Sequence, residues 1–367
     1  MRTRLIVCSL ALLICLTGCA DLGYYWQSVS GHASLIQAAR PVDDWLADVQ
    51  TPEKLKTKLA LTQKIRTFAV SELKLPDNPS YQRYVDLRRK AVVWNVVAAP
   101  KLSLTLKTWC FPVAGCVGYR GYFSEAEAKA EAEGLKLQDF DVSVYGVPAY
   151  STLGWSNWAG GDPLLSTFIS YPEGELARIV FHELAHQVVY VPGDTAFNES
   201  FATAVERLGG ARWLAKHGSE AAKAEYAVFD ARRRQFRALT QATRHRLTAI
   251  YQKNKPIAGE EYDFSAIKSI AIEEFKTDYQ QLKLSWGGYA GYDAWVAQAN
   301  NAAFGALAAY DDGVPQFEAL FAQQGNDWVK FYAAVKDLAA LTKEARQAAL
   351  SQYSKQYTVQ SSKGNHG

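Results

Sequence analysis

The sequence predicts an α+β fold, mostly helical, in which a small sheet leads into two neighbouring helices. Three observations predict it. Apolar residues recur at helical spacing in the first hundred residues and again beyond residue 215. The stretch between, from 101 to 171, is rich in Gly, aromatic and β-branched residues and shows period-two alternation. That stretch then runs into a strongly apolar helical segment, Arg178–Val189. With 367 residues, 49% of them apolar, the chain can bury a sizeable core. A net charge of +3 with no run of like charge gives no reason to expect nucleic acid as a partner.

In chain order, Arg2 and Arg4 precede the apolar run Leu5–Leu16, which has the length of a signal-peptide core and is short for a membrane span. The run ends in Leu16-Thr17-Gly18-Cys19, which resembles the lipobox of bacterial lipoproteins. That resemblance implies a signal peptide over residues 1–18 and a lipid on Cys19. Cys8 and Cys15 fall inside the leader, so only Cys110 and Cys116 remain. An even pair in an exported chain suggests a small disulfide loop; two buried thiols are the other reading, and metal ligation lacks a second pair or a nearby His.

Residues 19–100 read as an N-terminal helical region. Leu35, Ile36, Ala39 and Val42 share one helical face, as do Leu55, Leu59, Leu61 and Ile65. Pro41, Pro52, Pro76 and Pro79 punctuate them, and Tyr81–Ala98 reads as a further helix. Within 101–215, Leu102–Leu106, Val142–Val147 and Leu164–Ser170 read as strands. Ser124–Glu133 reads as a short helix with Ser124 as N-cap and Glu127 completing a capping box. Residues 216–355 form a C-terminal helical region. It opens with a hairpin of Tyr226–Lys253 and Tyr262–Leu284, broken at Lys255-Pro256 and Gly259; the arginines of its first arm read as a solvated face. Residues 356–367 read as a flexible tail.

The chemistry lies in His182-Glu183-Leu184-Ala185-His186. On a helix, residues four apart share a face, so His182 and His186 can aim two imidazoles at one ion. Zinc suits nitrogen ligands in that geometry. Glu183, offset beside the first His, is placed to take a proton from a water molecule and pass it to a leaving amine. A third ligand is needed. His217 sits in a polar helix end and is a poor candidate. Phe197–Leu208 reads as a second helix, stopped by Gly209-Gly210, with Glu199 in its first turn and Glu206 on the same face, where it could orient a ligand His through the other ring nitrogen.

Asn198-Glu199-Ser200-Phe201-Ala202 resembles the Asn-Glu-Gly-Phe-Ala motif of gluzincin aminopeptidases, in which a second, antiparallel helix supplies a Glu ligand. The resemblance implies that Glu199 is the third ligand and that residues 101–215 form a zincin-like catalytic core. The link from His186 to Glu199, residues 187–198, is shorter than in the familiar aminopeptidases, and their Gly-Ala-Met-Glu-Asn segment is absent. The wider pattern resembles a family of bacterial lipoproteins described as predicted aminopeptidases. It runs from the lipobox through Trp109-Cys110, Cys116-Val117-Gly118-Tyr119, Tyr150-Ser151-Thr152-Leu153-Gly154 and the two motifs above to Tyr292-Asp293 and Asn300-Asn301-Ala302.

Membership implies a zinc peptidase acting on peptide substrates, tethered to the membrane through lipid on Cys19. Ala20 after the cysteine points to the periplasmic face of the outer membrane. An endopeptidase or amidase acting on envelope proteins or cell-wall peptides is the neighbouring reading. A non-catalytic zinc scaffold is the distant one, and the presence of Glu183 speaks against it. For the oxyanion donor that such chemistry needs, Tyr292 is the candidate, with Tyr289 behind it. Either Leu164–Ser170 or Tyr150–Trp155 could form a rim that pairs with extended peptide.

Overall fold

The computed structural model describes residues 22–253 and 264–363. The leader with Cys19, the break at Lys255-Pro256 and Gly259, and the last residues of the tail lie outside the described residues. The chain opens with helix α1 (22–38), then β1 (Arg40–Pro41), α2 (Val42–Ala47) and α3 (Glu53–Ser71). Strands β2 (Arg83–Val85), β3 (Val93–Pro100), β4 (Trp109–Phe111), β5 (Gly115–Val117) and β6 (Arg120–Tyr122) follow, then helix α4 (Glu125–Lys136), β7 (Phe140–Val147) and β8 (Leu164–Leu165). The rest is helical: α5 (Glu173–Ala185), α6 (Thr195–His217), α7 (Glu220–Lys253), α8 (Phe264–Ser285), α9 (Asp293–Ala297), α10 (Asn301–Asp311), α11 (Val314–Gln323), α12 (Trp328–Ala339) and α13 (Lys343–Lys363). This is the mostly helical α+β composition the sequence predicts.

The central sheet has the order β6-β3-β7, all antiparallel, and β3 pairs with β7 from Val93↔Val147 to Pro100↔Phe140. Here the helix expected over Tyr81–Ala98 is wrong: the segment holds β2 and β3. Val92 and Val96 mimic helical spacing because β3 is buried on both faces, which erases the alternation that marks a strand. Val96 and Ala98 pack with Ala128, Ala132 and Leu135 of α4. Val97 and Ala99 pack with Ala302 of α10 on the other face. The period of two is therefore present, but both phases are apolar. Helix α10 is seated by the Asn300-Asn301 pair: Asn301 Nδ2 donates to Pro100 O (3.1 Å) and Asn300 Nδ2 donates to Val142 O (2.9 Å).

Three further expectations change. Leu102–Leu106 alternates but forms no strand; Leu104 and Leu106 pack as a loop against the helices. The strand expected over Leu164–Ser170 is only Leu164–Leu165, because Phe168 and Ile169 turn back to bond Leu165 O. Gly209-Gly210 do not stop α6. A Cβ on Gly209 would lie 2.6 Å from Leu73 Cδ1, and one on Gly210 would lie 2.8 Å from Arg178 Cγ. The two glycines let α6 approach its neighbours closely, and the helix runs on to His217. Ser124 caps α4 as expected, its side chain accepting from Glu127 N (3.3 Å). The arms α7 and α8 pack as a hairpin.

Candidate metal centre

Helix α5 starts after Pro172 with Glu173 and Glu175 in its first turn, where carboxylates oppose the helix dipole. Leu176, Ala177, Val180, Phe181, Leu184 and Ala185 are all fully buried, so hydrophobic burial fixes the rotation of the helix. His182, Glu183 and His186 then fall on the face left over, beside α6. The chain turns at Pro192-Gly193, with Gly193 at φ 78°, and Asp194 caps α6 by accepting from Phe197 N (3.3 Å). Because α6 begins at Thr195, Glu199 sits in its second turn, not its first.

The Asn before it has a structural task. Asn198, almost fully buried, accepts from Val191 N and donates to Val191 O, both at 2.8 Å. That pair of hydrogen bonds clamps the short link between the helices and sets the direction of Glu199. Arg346 from α13 reinforces the same turn: its Nε donates to Asp194 Oδ2 at 3.0 Å.

The three expected ligands converge. His182 Nε2 lies 3.2 Å from His186 Nε2 and 3.3 Å from Glu199 Oε2, and His186 Nε2 lies 3.8 Å from that same oxygen. Donors bound at about 2.0–2.1 Å in a tetrahedron sit roughly 3.3 Å apart. The triangle has that size, and the two rings, set edge to face, bring their Nε2 atoms together beside the same Glu199 oxygen. The donor set therefore fits a metal ion. Behind His182, Glu206 Oε2 approaches Nδ1 to 3.0 Å, off the line of its N–H, and Arg178 holds the other Glu206 oxygen.

Electrostatics agree with a site built for positive charge. Burial would raise Glu206, but Arg178 and His182 outweigh it and hold its carboxyl at about 2. Burial likewise opposes ionisation of Glu199, yet His186 and His182 bring it below its usual range. Burial pushes His186 down to about 4, whereas Glu199 and Glu206 overcome burial at His182 and hold it well above the usual value. Glu183 is pushed up to about 8 by burial, with His182 opposing. A cation at the three ligands would pull Glu183 back toward the ionised form.

Two cavities meet at His182 and Glu183 and share Val147 and Ala149 of the strand end. One, of about 350 Å³, is lined largely by apolar and aromatic groups, including Tyr24, Phe111, Val117, Tyr119, Phe123 and Tyr150. The other, of about 340 Å³, is charged, with Glu175, Arg178, Glu206, Arg233 and Arg237. Of the two rim segments expected, Tyr150, Ser151 and Leu153 line the apolar arm; residues 164–170 line neither arm. Their loop is shaped around buried Asp162, which accepts from Thr152 Oγ1 (2.7 Å), Thr152 N (3.0 Å) and Ser156 Oγ (3.0 Å).

Tyr292 is not brought to the metal ligands. It stacks on Phe236 at 4.0 Å in the aromatic cluster of the hairpin and lines neither cavity. Among the tyrosines lining the apolar arm, Tyr119 and Tyr190 feel Glu199: burial and then the Glu199 charge raise both phenols. Cys110 and Cys116 form a disulfide across the β4–β5 hairpin, and this hairpin roofs the site. Gly193 N donates to Ala114 O (3.0 Å) and Tyr190 Oη donates to the same oxygen (3.3 Å). Gly115, at φ 73°, lets the hairpin touch the link, since a Cβ there would lie 2.4 Å from Gly193 N. Nothing in the spacing of Trp109–Tyr119 places it over the histidines; only its recurrence in the resembling family marked it.

Fold and site together define a mostly helical α+β protein with a His/His/Glu group that could hold a metal ion between two packed helices, beside a half-apolar, half-charged cleft. The chain belongs to the family described as "Putative aminopeptidase", whose model matches residues 23–350. No curated protein and no solved structure matches it.

Proposed function

We propose that this protein is a zinc-dependent aminopeptidase, with His182, His186 and Glu199 holding one Zn²⁺ and Glu183 as general base, in a gluzincin arrangement on a zincin-like core. The observation that carries the reading is the ligand triangle of 3.2, 3.3 and 3.8 Å, with Glu183 next to it on the same helix and facing the cleft. Zinc there would supply Lewis acidity to the scissile carbonyl and to the attacking water. Glu183 takes the proton of that water as its oxygen adds to the carbonyl carbon. It then gives the proton to the amine nitrogen as the C–N bond breaks. Glu206, backed by Arg178, fixes the ring of His182. The aromatic arm holds an apolar side chain of the substrate and keeps water from the reacting atoms.

The protein is tethered in the bacterial envelope by lipid on Cys19, at the periplasmic face of the outer membrane, where its substrates are peptides. A second reading, endopeptidase action on envelope proteins or cell-wall peptides, is favoured by one feature. The cleft continues on both sides of Glu183, and the acids in its charged arm are already engaged: Glu206 with Arg178 and His182, Glu175 with Arg233 (2.6 Å). Hydrolysis of a peptide series with free and acetylated N-termini separates the two. Loss of cleavage on acetylation supports the aminopeptidase, and undiminished internal cleavage of acetylated peptides sinks it.

A further inference from the structure

Helix α1 is seated on the body by one side only. Tyr24 stacks on Phe111 and meets Tyr122 edge-on, Gly31 lies where a Cβ would be 2.3 Å from Phe123 Cγ, His32 bonds Tyr150, and Leu35 is buried. The opposite side carries Leu22 (71% exposed), Tyr25 (40%), Trp26 (72%) and Val29 (64%). At 100° per residue these fall, with Ala33, into one stripe. The segment 22–38 contains no Asp, Glu, Lys or Arg. A soluble helix normally presents charge to water, so an uncharged helix with a continuous bare apolar stripe marks an interaction surface. Its Trp and Tyr suit a boundary that is apolar on one side and wet on the other.

We infer that this outer face of α1 lies in the headgroup–acyl boundary of the membrane that carries the lipid anchor. The inference rests on the Cys19 tether proposed above. Only Ala20 and Asp21 separate Cys19 from Leu22, and three residue steps span at most about 11 Å of chain, so a lipid on Cys19 holds the first turn of α1 at the bilayer surface. No helix among the described residues is long and apolar enough to cross a membrane, so α1 lies along the surface. Because Tyr24 and the α1 contacts Phe123 and Tyr150 also line the apolar arm, the helix is the wall between that arm and the lipid. The candidate active site therefore opens close to the membrane plane and at a fixed orientation to it.

The test uses the full-length lipidated protein on vesicles of phosphatidylethanolamine and phosphatidylglycerol. A nitroxide is placed at Val29→Cys or, as control, at Val329→Cys, a position of similar exposure (61%) on α12. Collisions with oxygen, which concentrates among acyl chains, are compared with collisions with a water-soluble nickel chelate. The expected result is a label at position 29 several-fold less open to nickel than the label at 329, and unaffected by salt because the helix carries no charge. Protein that floats with the vesicles while both labels meet nickel equally overturns the inference and leaves the tether standing. Protein that does not float at all removes the tether and the inference with it. Spin–spin broadening at position 29, with both agents excluded, would assign the face to a second copy of the chain and overturn the inference.

Discussion

Arg346 and Asp194 form an ion pair, closing at 3.0 Å with both side chains only 4% exposed, that ties the start of α13 to the cap of α6, the helix that carries Glu199. Arg346 also donates to Ala339 O and Leu341 O. Removing one partner of such a pair leaves a buried charge without compensation. Arg346→Ala should cost about 3–5 kcal/mol in urea unfolding. Because Asp194 caps α6, the same variant should bind metal more weakly. A change under 1 kcal/mol would mean that the pair is already reached by water.

Asn198→Ala removes both bonds to Val191 and leaves the Val191 amide without its partner. The expected destabilisation is about 1–3 kcal/mol. The sharper readout is metal affinity, which should fall because the link no longer aims Glu199. Unchanged affinity with lowered stability would show that the clamp serves the fold alone.

Glu199→Ala should lower zinc affinity by more than Glu206→Gln, since one loses a ligand and the other loses only the support of His182. For the latter a fall of about 10–100-fold is expected. The reverse order, measured by competition with a chromophoric chelator, would exchange their roles.

Acid stability carries the Glu206 signature. Its folded value, about 2, lies below the ordinary Glu value of about 4.3, so its contribution is full above that ordinary value and disappears as pH falls toward 2. In metal-free protein the melting temperature should therefore drop more steeply from pH 5 to pH 3 in the parent than in Glu206→Gln. Parallel curves would mean that Arg178 and His182 do not stabilise the Glu206 charge.

Much of the site was legible because helical periodicity needs only local sequence. His182, Glu183 and His186 share a turn, so their grouping follows from spacing alone. Glu199 lies across a link whose geometry depends on Asn198, Gly193 and Arg346, and its place came from a motif likeness. Tyr292 was misplaced because an aromatic run beside glycines looks the same whether it lines a cleft or packs, as here, on Phe236. The strand β3 was hidden by burial on both faces, and the roof formed by the Cys110–Cys116 hairpin by the lack of any local signal for what it covers. Gly209-Gly210 misled for a related reason: a glycine that ends a helix and one that admits a neighbour are the same letter.

His182, His186 and Glu199 are proposed to hold zinc for hydrolysis, with Glu183 as base. The direct measurement is zinc per chain together with peptide hydrolysis, in the parent and in Glu183→Gln. About one zinc is expected in both proteins, with hydrolysis lost by about 10²–10⁴-fold in the variant and abolished in the parent by chelation. Full activity in Glu183→Gln, or hydrolysis in the parent that survives complete removal of zinc, would contradict it.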